Sequence, residues 1–321
     1  MPNLPSSVDI FEEGPREGFQ IEKGPISTAR KIEFIDAVAR TGLKHIITVS
    51  FVNPKLVPGM ADAEAVVAGL TMQPGVTYTG LWLNEQGLHR AIATGRLAIF
   101  GSLSASTSPR FLKRNQNRTP EEHLAAQDSI LEVYKAKNIP IDRAIIAAAF
   151  GSNFDGDVTE GEVVALVQQL VDQANRHDLR LKSVVLADTM AWGTPLAVKR
   201  TVGAVQDRFP ELDIVLHLHD TRGMGIANAF AGLEMGVSQF DSSVAGLGGC
   251  PFAGHAGAAG NVCTEDLVFM CHEMGVETGV DLEQLIDCAR LAEDVVGHPL
   301  PGSVMRGGSL NKLRESLTHA A

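Results

Sequence analysis

The strongest constraint on the fold is an alternation of short apolar runs with longer amphipathic segments along almost the whole chain. Most of the apolar runs are rich in β-branched residues or end near Gly, Ser or Asp, which is typical of buried strands. They predict eight strands, at residues 8–13, 45–51, 76–80, 97–102, 143–150, 181–187, 214–219 and 238–243.

The segments between these runs carry the 3.6-residue spacing of amphipathic helices, as Val163, Val167 and Leu170 illustrate. Thr119 and Glu122 stand at the two positions of a capping box, with Pro120 at the first helical position. We predict helices at residues 27–41, 62–72, 85–94, 119–137, 159–177, 195–209, 225–235, 264–274 and 281–296.

Eight strand–helix units without a long linker predict an α/β fold, a (β/α)8 TIM barrel. Neighbouring parallel strands need crossover helices, and eight units suit a closed barrel better than an open doubly wound sheet. Residues 13–18 follow the first strand and lack the GxGxxG pattern of dinucleotide-binding folds. We expect a single domain over residues 1–321, with the barrel at about 8–275 and a short C-terminal helical extension at about 276–321, in which 300–308 form a loop.

The charge balance narrows the possible partners. The 321 residues include 38 acidic and 27 basic side chains, a net charge of −11, which argues against binding to nucleic acid or to an anionic membrane. No apolar run approaches the roughly 20 residues that a membrane span needs. The four cysteines form no CxxC pair, and the first residues do not resemble a signal peptide. We therefore expect a cytoplasmic protein.

In such a barrel the chemistry lies at the carboxyl ends of the strands. His217 and His219 end the seventh predicted strand, and residues two apart on a strand point to the same face. Two imidazoles beside a carboxylate suit a divalent metal ion, whereas the alternative is a pair of core histidines bonded to the backbone.

Arg16 and Glu17 follow the first strand and could divide two tasks. Glu17 offers an anionic ligand to a metal, and Arg16 a fixed positive charge for a substrate oxygen. The alternative is a surface ion pair within the turn, which contributes little free energy.

The segment between the eighth strand and its helix, residues 246–261, is rich in Gly and Ala and contains Cys250. So flexible a loop suggests closure over a substrate, with the thiol as an acid or base. A buried, inert cysteine is the alternative.

A basic segment after the fourth strand, predicted as a loop, suggests contact with the phosphates of a nucleotide-like substrate handle. The alternative is a solvated surface loop. The residues assigned to this contact are Arg110, Lys113, Arg114 and Asn115.

In combination, several motifs resemble the 3-hydroxy-3-methylglutaryl-CoA lyases over residues 9–296. They are GPREGFQ at 14–20, SFVNPK at 50–55, DT at 188–189, HLHDT at 217–221, SVAGLGGCP at 243–251, GN at 260–261 and TEDL at 264–267.

The resemblance implies a TIM-barrel lyase that uses a divalent cation, Mg²⁺ or Mn²⁺, held by Glu17, His217, His219 and Asn261. Arg16 would stabilise the enolate oxygen, Cys250 would donate a proton, and His217 or Asp188 would take the hydroxyl proton. Substrate and coenzyme A contacts are assigned to Gln20, Ser50, Lys55 and Thr189, in addition to the basic segment.

The implied reaction is a retro-Claisen cleavage of a 3-hydroxyacyl-CoA to acetyl-CoA and a keto acid, with 3-hydroxy-3-methylglutaryl-CoA and acetoacetate favoured. Alternative substrates are citramalyl-CoA or another 3-hydroxy-3-alkyl acyl-CoA. An acetyl-CoA-condensing acyltransferase and a noncatalytic barrel are the other classes. We also expect a homo-oligomer, a dimer or a tetramer.

Two residues depart from the family pattern, which usually has Asp at the position of Glu17 and Glu at the position of Ile47. The longer Glu17 is therefore expected to reach both Arg16 and the metal. The apolar space at Ile47 is expected to accept an altered acyl substituent.

Overall fold

The structure is a computed structural model that describes residues 4–249 and 260–319. All the strand pairings are parallel, and the hydrogen-bonded order is β3-β2-β1-β8-β7-β6-β5-β4. Since β1 pairs with both β2 and β8, the sheet curls so that its first and last strands are neighbours, and the predicted (β/α)8 barrel is confirmed. The strands are β1 (Asp9–Glu12), β2 (His45–Ser50), β3 (Thr77–Leu81), β4 (Gly101–Ser106), β5 (Ile141–Ala147), β6 (Ser183–Ala187), β7 (Asp213–His217) and β8 (Gln239–Ser242).

Helices lie between the strands at the predicted places, within a few residues at each end. Thr119 and Glu122 form the predicted capping box, each side chain accepting the backbone N–H of the other residue. Among the described residues, no helix is both long and apolar enough to span a bilayer. The helices are α1 (Phe19–Ile21), α2 (Thr28–Val38), α3 (Ala63–Gly69), α4 (Glu85–Ala93), α5 (Pro109–Gln116), α6 (Pro120–Ala136), α7 (Glu160–Arg176), α8 (Pro195–Arg208), α9 (Gly225–Glu234), α10 (Thr264–Glu273), α11 (Leu282–Val296), α12 (Val304–Gly307) and α13 (Leu310–His319).

The fourth strand lies four residues later than the apolar run at 97–102 predicted. In Gly101–Ser106 the alternate residues Leu103 and Ala105 are buried, while Ser102, Ser104 and Ser106 line the barrel cavity. The apolar run therefore predicted the strand too early in the chain, because the inward face of the actual strand consists of serines rather than apolar residues.

The basic segment after β4 is a helix, so the prediction of a loop was wrong. Ser108 caps α5 by accepting the backbone N–H of Phe111 at 3.2 Å. Phe111 and Leu112 are buried, which gives the helix an apolar face beneath its basic one. The predicted loop at 300–308 likewise contains the short helix α12.

A buried carboxylate ties the first strand to the last. Glu12 is fully buried and accepts the backbone N–H groups of Gly14 and Val244, each at 2.9 Å, and the hydroxyl of Thr264 at 2.7 Å. Burial raises the pKa of Glu12 to about 8, although these three donors oppose the shift. The carboxyl group thus fixes the turn after β1 against the segments that follow β8.

We expect Thr264→Val to lower the free energy of unfolding by about 1–3 kcal/mol, because one oxygen of the buried Glu12 loses its donor. Urea denaturation measures the change. Thr264→Ser keeps the hydroxyl and is the matched control. Equal unfolding midpoints for the valine variant and the wild type would contradict this account of Glu12.

Candidate active site

A cavity of about 1280 Å³ runs through the barrel, and its lining includes the carboxyl ends of the strands, where the chemistry of such barrels lies. Seven of the predicted site residues contribute to its lining: Arg16, Glu17, Gln20, Asn115, Thr189, His217 and His219. The cavity is therefore a site at which charged side chains from β1 and β7 face the same space.

Arg16 and Glu17 lie on a single π-helical turn, Gly14–Gly18, that begins directly after β1. The backbone N–H groups of Arg16 and Glu17 both donate to the carbonyl of Glu13, at 3.0 and 2.7 Å. Gly18 lies so close to Leu247 that a Cβ there would be 2.8 Å from the Leu247 Cβ. This close approach requires glycine and holds the turn against the start of the segment after β8.

His217 and His219 present their Nε2 atoms to each other at 3.1 Å. The Glu17 carboxylate lies beside both, with Oε1 3.4 Å from His219 Nε2 and Oε2 3.8 Å from His217 Nε2. These three side chains form a compact group of possible metal ligands. Burial alone would raise the pKa of Glu17, but Arg16 and the two histidines hold it well below its usual value.

Asn261 joins this group through pairing between two loops. His219 and Asn261 form an isolated antiparallel bridge, flanked by hydrogen bonds from Asp220 N to Gly260 O and from Val262 N to Leu218 O. The Asn261 amide nitrogen donates to Glu17 Oε1 at 3.1 Å. The four residues that the resemblance assigns to a metal are thus adjacent.

The donors of this cluster fit a divalent cation. Asn261 Oδ1 and His219 Nδ1 are buried and have no hydrogen-bond partner among the described residues. Imidazole nitrogen, carboxylate and amide oxygen together suit ions such as Mn²⁺, and an ion would relieve the close approach of the two Nε2 atoms. Glu17, His217, His219 and Asn261 could therefore hold one.

Asp241 and Arg143 lie behind His217, and sequence reasoning missed both. Asp241 Oδ2 is 3.2 Å from His217 Nδ1, and its Oδ1 accepts from Arg143 Nη1 at 2.9 Å. Burial alone would lower the pKa of His217, but Asp241 and Glu17 raise it to about 9. The sequence signal that could have identified them is a charged residue at an inward-facing position of a strand, Arg143 on β5 and Asp241 on β8.

Glu13 is the third residue that sequence reasoning missed. Its Oε2 accepts from Arg16 Nε at 2.8 Å and also contacts Arg16 Nη2. Arg16 Nη1 lies 3.2 Å from Glu17 Oε2, so the expected contact between Arg16 and Glu17 is present. The carboxylate nearer to Arg16 is nevertheless that of Glu13. Burial raises the pKa of Glu13, and the positive charge of Arg16 opposes this shift.

Comparisons with known proteins identify the family of this chain. The family model described as HMGL-like matches residues 7–292. This chain belongs to the HMGL-like family. It is 40% identical over 289 residues to the mitochondrial hydroxymethylglutaryl-CoA lyase of Pongo abelii, a match that covers 89% of this chain and 85% of the relative.

Solved lyases share the whole fold of this HMGL-like protein. The hydroxymethylglutaryl-CoA lyase of Pseudomonas aeruginosa superposes with a TM-score of 0.87 at 36% identity, covering 95% of this chain and 98% of the other. An HMG-CoA lyase of Acinetobacter baumannii, solved with coenzyme A and 3-methylmalate, gives 0.84 at 35% identity, covering 95% and 96%. The predicted family and the predicted enzyme class, a lyase, are confirmed.

The predicted substrate residues of this HMGL-like protein divide between the cavity and the surface. Gln20 lines the cavity and accepts the hydroxyl of the buried Ser50 at 2.7 Å, and Thr189 lines it as well. Lys55 is exposed in the segment after β2 and is absent from the cavity lining.

The predicted coenzyme A residues lie on α5. Asn115 lines the cavity, whereas Arg110, Lys113 and Arg114 occupy the exposed face of the helix. Arg110 pairs with Asp155 at 3.3 Å, Lys113 donates to the Asn117 carbonyl at 3.2 Å, and the Arg114 guanidinium stacks over the Phe154 ring at 4.6 Å.

Asp188 is buried beneath the end of β6 and does not line the cavity. Its carboxylate accepts the backbone N–H groups of Trp192 and Gly193 at 2.7 and 3.0 Å. This arrangement holds the turn after β6. Cys250 lies outside the described residues, so its predicted role stays a prediction.

We expect Asp241→Asn to weaken Mn²⁺ binding by about 10–100-fold, because the carboxylate that orients His217 through Nδ1 is lost. Calorimetric titration with Mn²⁺ measures the change. Asp213→Asn is the control, since Asp213 begins β7 at the opposite end of the barrel and is exposed. If both variants bind Mn²⁺ as tightly as the wild type, Asp241 does not support a metal ligand.

Proposed function

We propose that this protein is a divalent-cation-dependent carbon–carbon lyase that cleaves 3-hydroxy-3-methylglutaryl-CoA to acetyl-CoA and acetoacetate. The observation that carries the proposal is the cluster of Glu17, His217, His219 and Asn261 next to Arg16, at the open end of a barrel whose relatives are named hydroxymethylglutaryl-CoA lyases. A divalent cation at this cluster supplies Lewis-acid polarisation of substrate oxygens.

The reaction breaks the bond between C2 and C3 of the acyl chain. The C3 hydroxyl loses its proton, its oxygen becomes the carbonyl of acetoacetate, and the electron pair of the broken bond forms the enolate of acetyl-CoA. The Arg16 guanidinium faces this developing negative charge, and its fixed orientation lowers the cost of forming it. The resemblance assigns to Cys250 the proton that converts the enolate to acetyl-CoA.

The proton acceptor for the C3 hydroxyl belongs among the groups that line the cavity. His217 lines the cavity, but its Nδ1 faces Asp241 and its Nε2 is assigned to the cation, so it has no free lone pair for the proton once the cation is bound. The carboxylate of Asp188 is bonded to the turn after β6. Asp188 therefore fits a structural role at the edge of the site better than direct proton transfer.

Coenzyme A would enter from the side of α5. Asn115 reaches the cavity, and the exposed basic face of the same helix lies next to it on an otherwise acidic protein. Lys113 and Arg114 would meet phosphate groups there. The oligomeric state stays a prediction.

Ile47 favours a second acyl substrate. It lines the cavity on β2, so this wall of the acyl pocket is apolar. A 3-hydroxy-3-alkyl thioester with a longer alkyl group is the alternative substrate that this wall would accept.

The decisive experiment is to incubate the protein with 3-hydroxy-3-methylglutaryl-CoA and Mg²⁺ or Mn²⁺. We expect equal amounts of acetyl-CoA and acetoacetate, and no product after chelation. His219→Ala should abolish turnover because the ligand set is incomplete, whereas His89→Ala, on the exposed side of α4, should not alter it.

The same experiment separates the alternatives. Cleavage only of longer 3-alkyl thioesters would replace the proposed substrate, and release of free thiol from acetyl-CoA with a 2-oxo acid would indicate an acyltransferase. Inactivity of the metal-loaded protein toward every thioester would indicate a noncatalytic barrel.

We expect Cys250→Ala to lower kcat by about 10²–10⁴-fold with little change in KM, the range for loss of a general acid. Steady-state kinetics on the proposed substrate measure it. Cys288→Ala is a control, because burial raises the pKa of that α11 thiol to about 12 and keeps it protonated. An unchanged kcat in Cys250→Ala would exclude the thiol as the proton donor.

A further inference from the structure

Arg16 lies between two carboxylates that come from its own turn. The edge of the guanidinium formed by Nε and Nη2 faces Glu13 Oε2, and Nη1 faces Glu17 Oε2 at 3.2 Å. The side chains of Arg16, Glu13 and Glu17 are 15%, 7% and 13% exposed, so the three charges interact with little screening by water.

Glu17 is shared with other groups, and Glu13 is the firmer partner of Arg16. Glu17 also receives a hydrogen bond from Asn261 and lies within 4 Å of both imidazoles. A cation held there would compete with Arg16 for this carboxylate. Glu13 makes the shorter contacts to the guanidinium, and its backbone carbonyl holds the peptide N–H of Arg16 as well.

We propose that Glu13 is the residue that positions Arg16 for catalysis. The Glu13 carboxylate binds the edge of the guanidinium formed by Nε and Nη2. Nη1 is then left facing Glu17 and the cavity, where the enolate oxygen forms. This inference rests on the proposed lyase function. It assigns to Glu13 an indirect role, exerted through Arg16 rather than through contact with substrate.

The position of Glu13 relative to β2 makes the inference testable by relocation of a charge. Glu12 and Ile46 are partners across the β1–β2 pair, so Glu13 and Ile47 lie side by side one residue further along. Both line the cavity. A carboxylate at position 47 would therefore approach Arg16 from the neighbouring strand.

The first variant is Glu13→Gln, which removes the charge and keeps the size of the side chain. We expect kcat on 3-hydroxy-3-methylglutaryl-CoA to fall by about 10²-fold, the scale for a misplaced catalytic group, while KM changes much less. The Glu13 carboxylate also lies within 4.8 Å of a ring nitrogen of His217, so Mn²⁺ affinity has to be measured by calorimetry alongside kcat. We expect it to stay within about threefold of the wild type, because Glu13 is proposed to act through Arg16 and not through His217.

The second variant relocates the carboxylate. Ile47→Glu in the Glu13→Gln background should raise kcat at least about tenfold above that of Glu13→Gln alone, since it returns an anion to Arg16. Ile47→Gln in the same background is the matched control and should recover nothing. Circular dichroism and the unfolding midpoint of each variant show whether the barrel is intact.

The outcomes separate this inference from the proposed function. Failure of the wild-type protein to cleave the thioester defeats the function itself. With an active wild type, an unchanged kcat in Glu13→Gln overturns the role of Glu13. A loss of Mn²⁺ affinity as large as the loss of kcat also overturns it, because Glu13 would then act on the cation cluster. A folded double variant with no recovery overturns the claim that Arg16 needs only a neighbouring anion.

Discussion

The arrangement of the site depends on the buried carboxylate of Glu12. It joins the peptide after β1 to the peptide after β8 and to the hydroxyl at the start of α10. Arg16 and Glu17 follow the first of these connections, and Asn261 precedes α10. Because a buried acceptor must keep its donors, the residues that form the site cannot shift separately without leaving Glu12 unsatisfied.

Opposite charges alternate along a path through the barrel interior. Arg143 pairs with Asp241, Asp241 with His217, His217 with Glu17, and Arg16 with both Glu17 and Glu13. A buried charge without a partner costs several kcal/mol, so each member of the path constrains the next. This explains why side chains on or next to four strands hold a definite geometry around the cavity.

The same path clarifies the two departures from the family pattern. Without a carboxylate on β2, the guanidinium of Arg16 still lies between two anions, because Glu13 and Glu17 flank it within one turn. Ile47 is consequently free to form an apolar wall of the cavity. Glu17 lies 3.2 Å from Arg16 and 3.4 Å from His219 Nε2. That its extra methylene lets it serve both Arg16 and a cation stays a prediction.

The sequence by itself determined the barrel and the helix caps, because these depend on local periodicity and capping residues. It also determined the candidate residues at the strand ends, because the chemistry of a TIM barrel lies at the carboxyl ends of its strands. It also pointed to His217 and His219, because their spacing at the end of the seventh strand is a local property, although β7 ends at His217 and His219 lies two residues beyond it. The polar inner face of β4 and the apolar face of α5 were misread, since each depends on what the neighbouring elements present.

Only the tertiary structure decided which charges meet. Asn261 reaches His219 through a bridge between two loops, and Asp241 reaches His217 from the next strand in the sheet. Glu13 differs because it is close to Arg16 in the chain, yet only the π-helical turn brings its carboxylate against the guanidinium. The energy of interaction between two charges depends on their distance in space and not on their separation in the sequence. Which charges meet is therefore decided by the folded backbone.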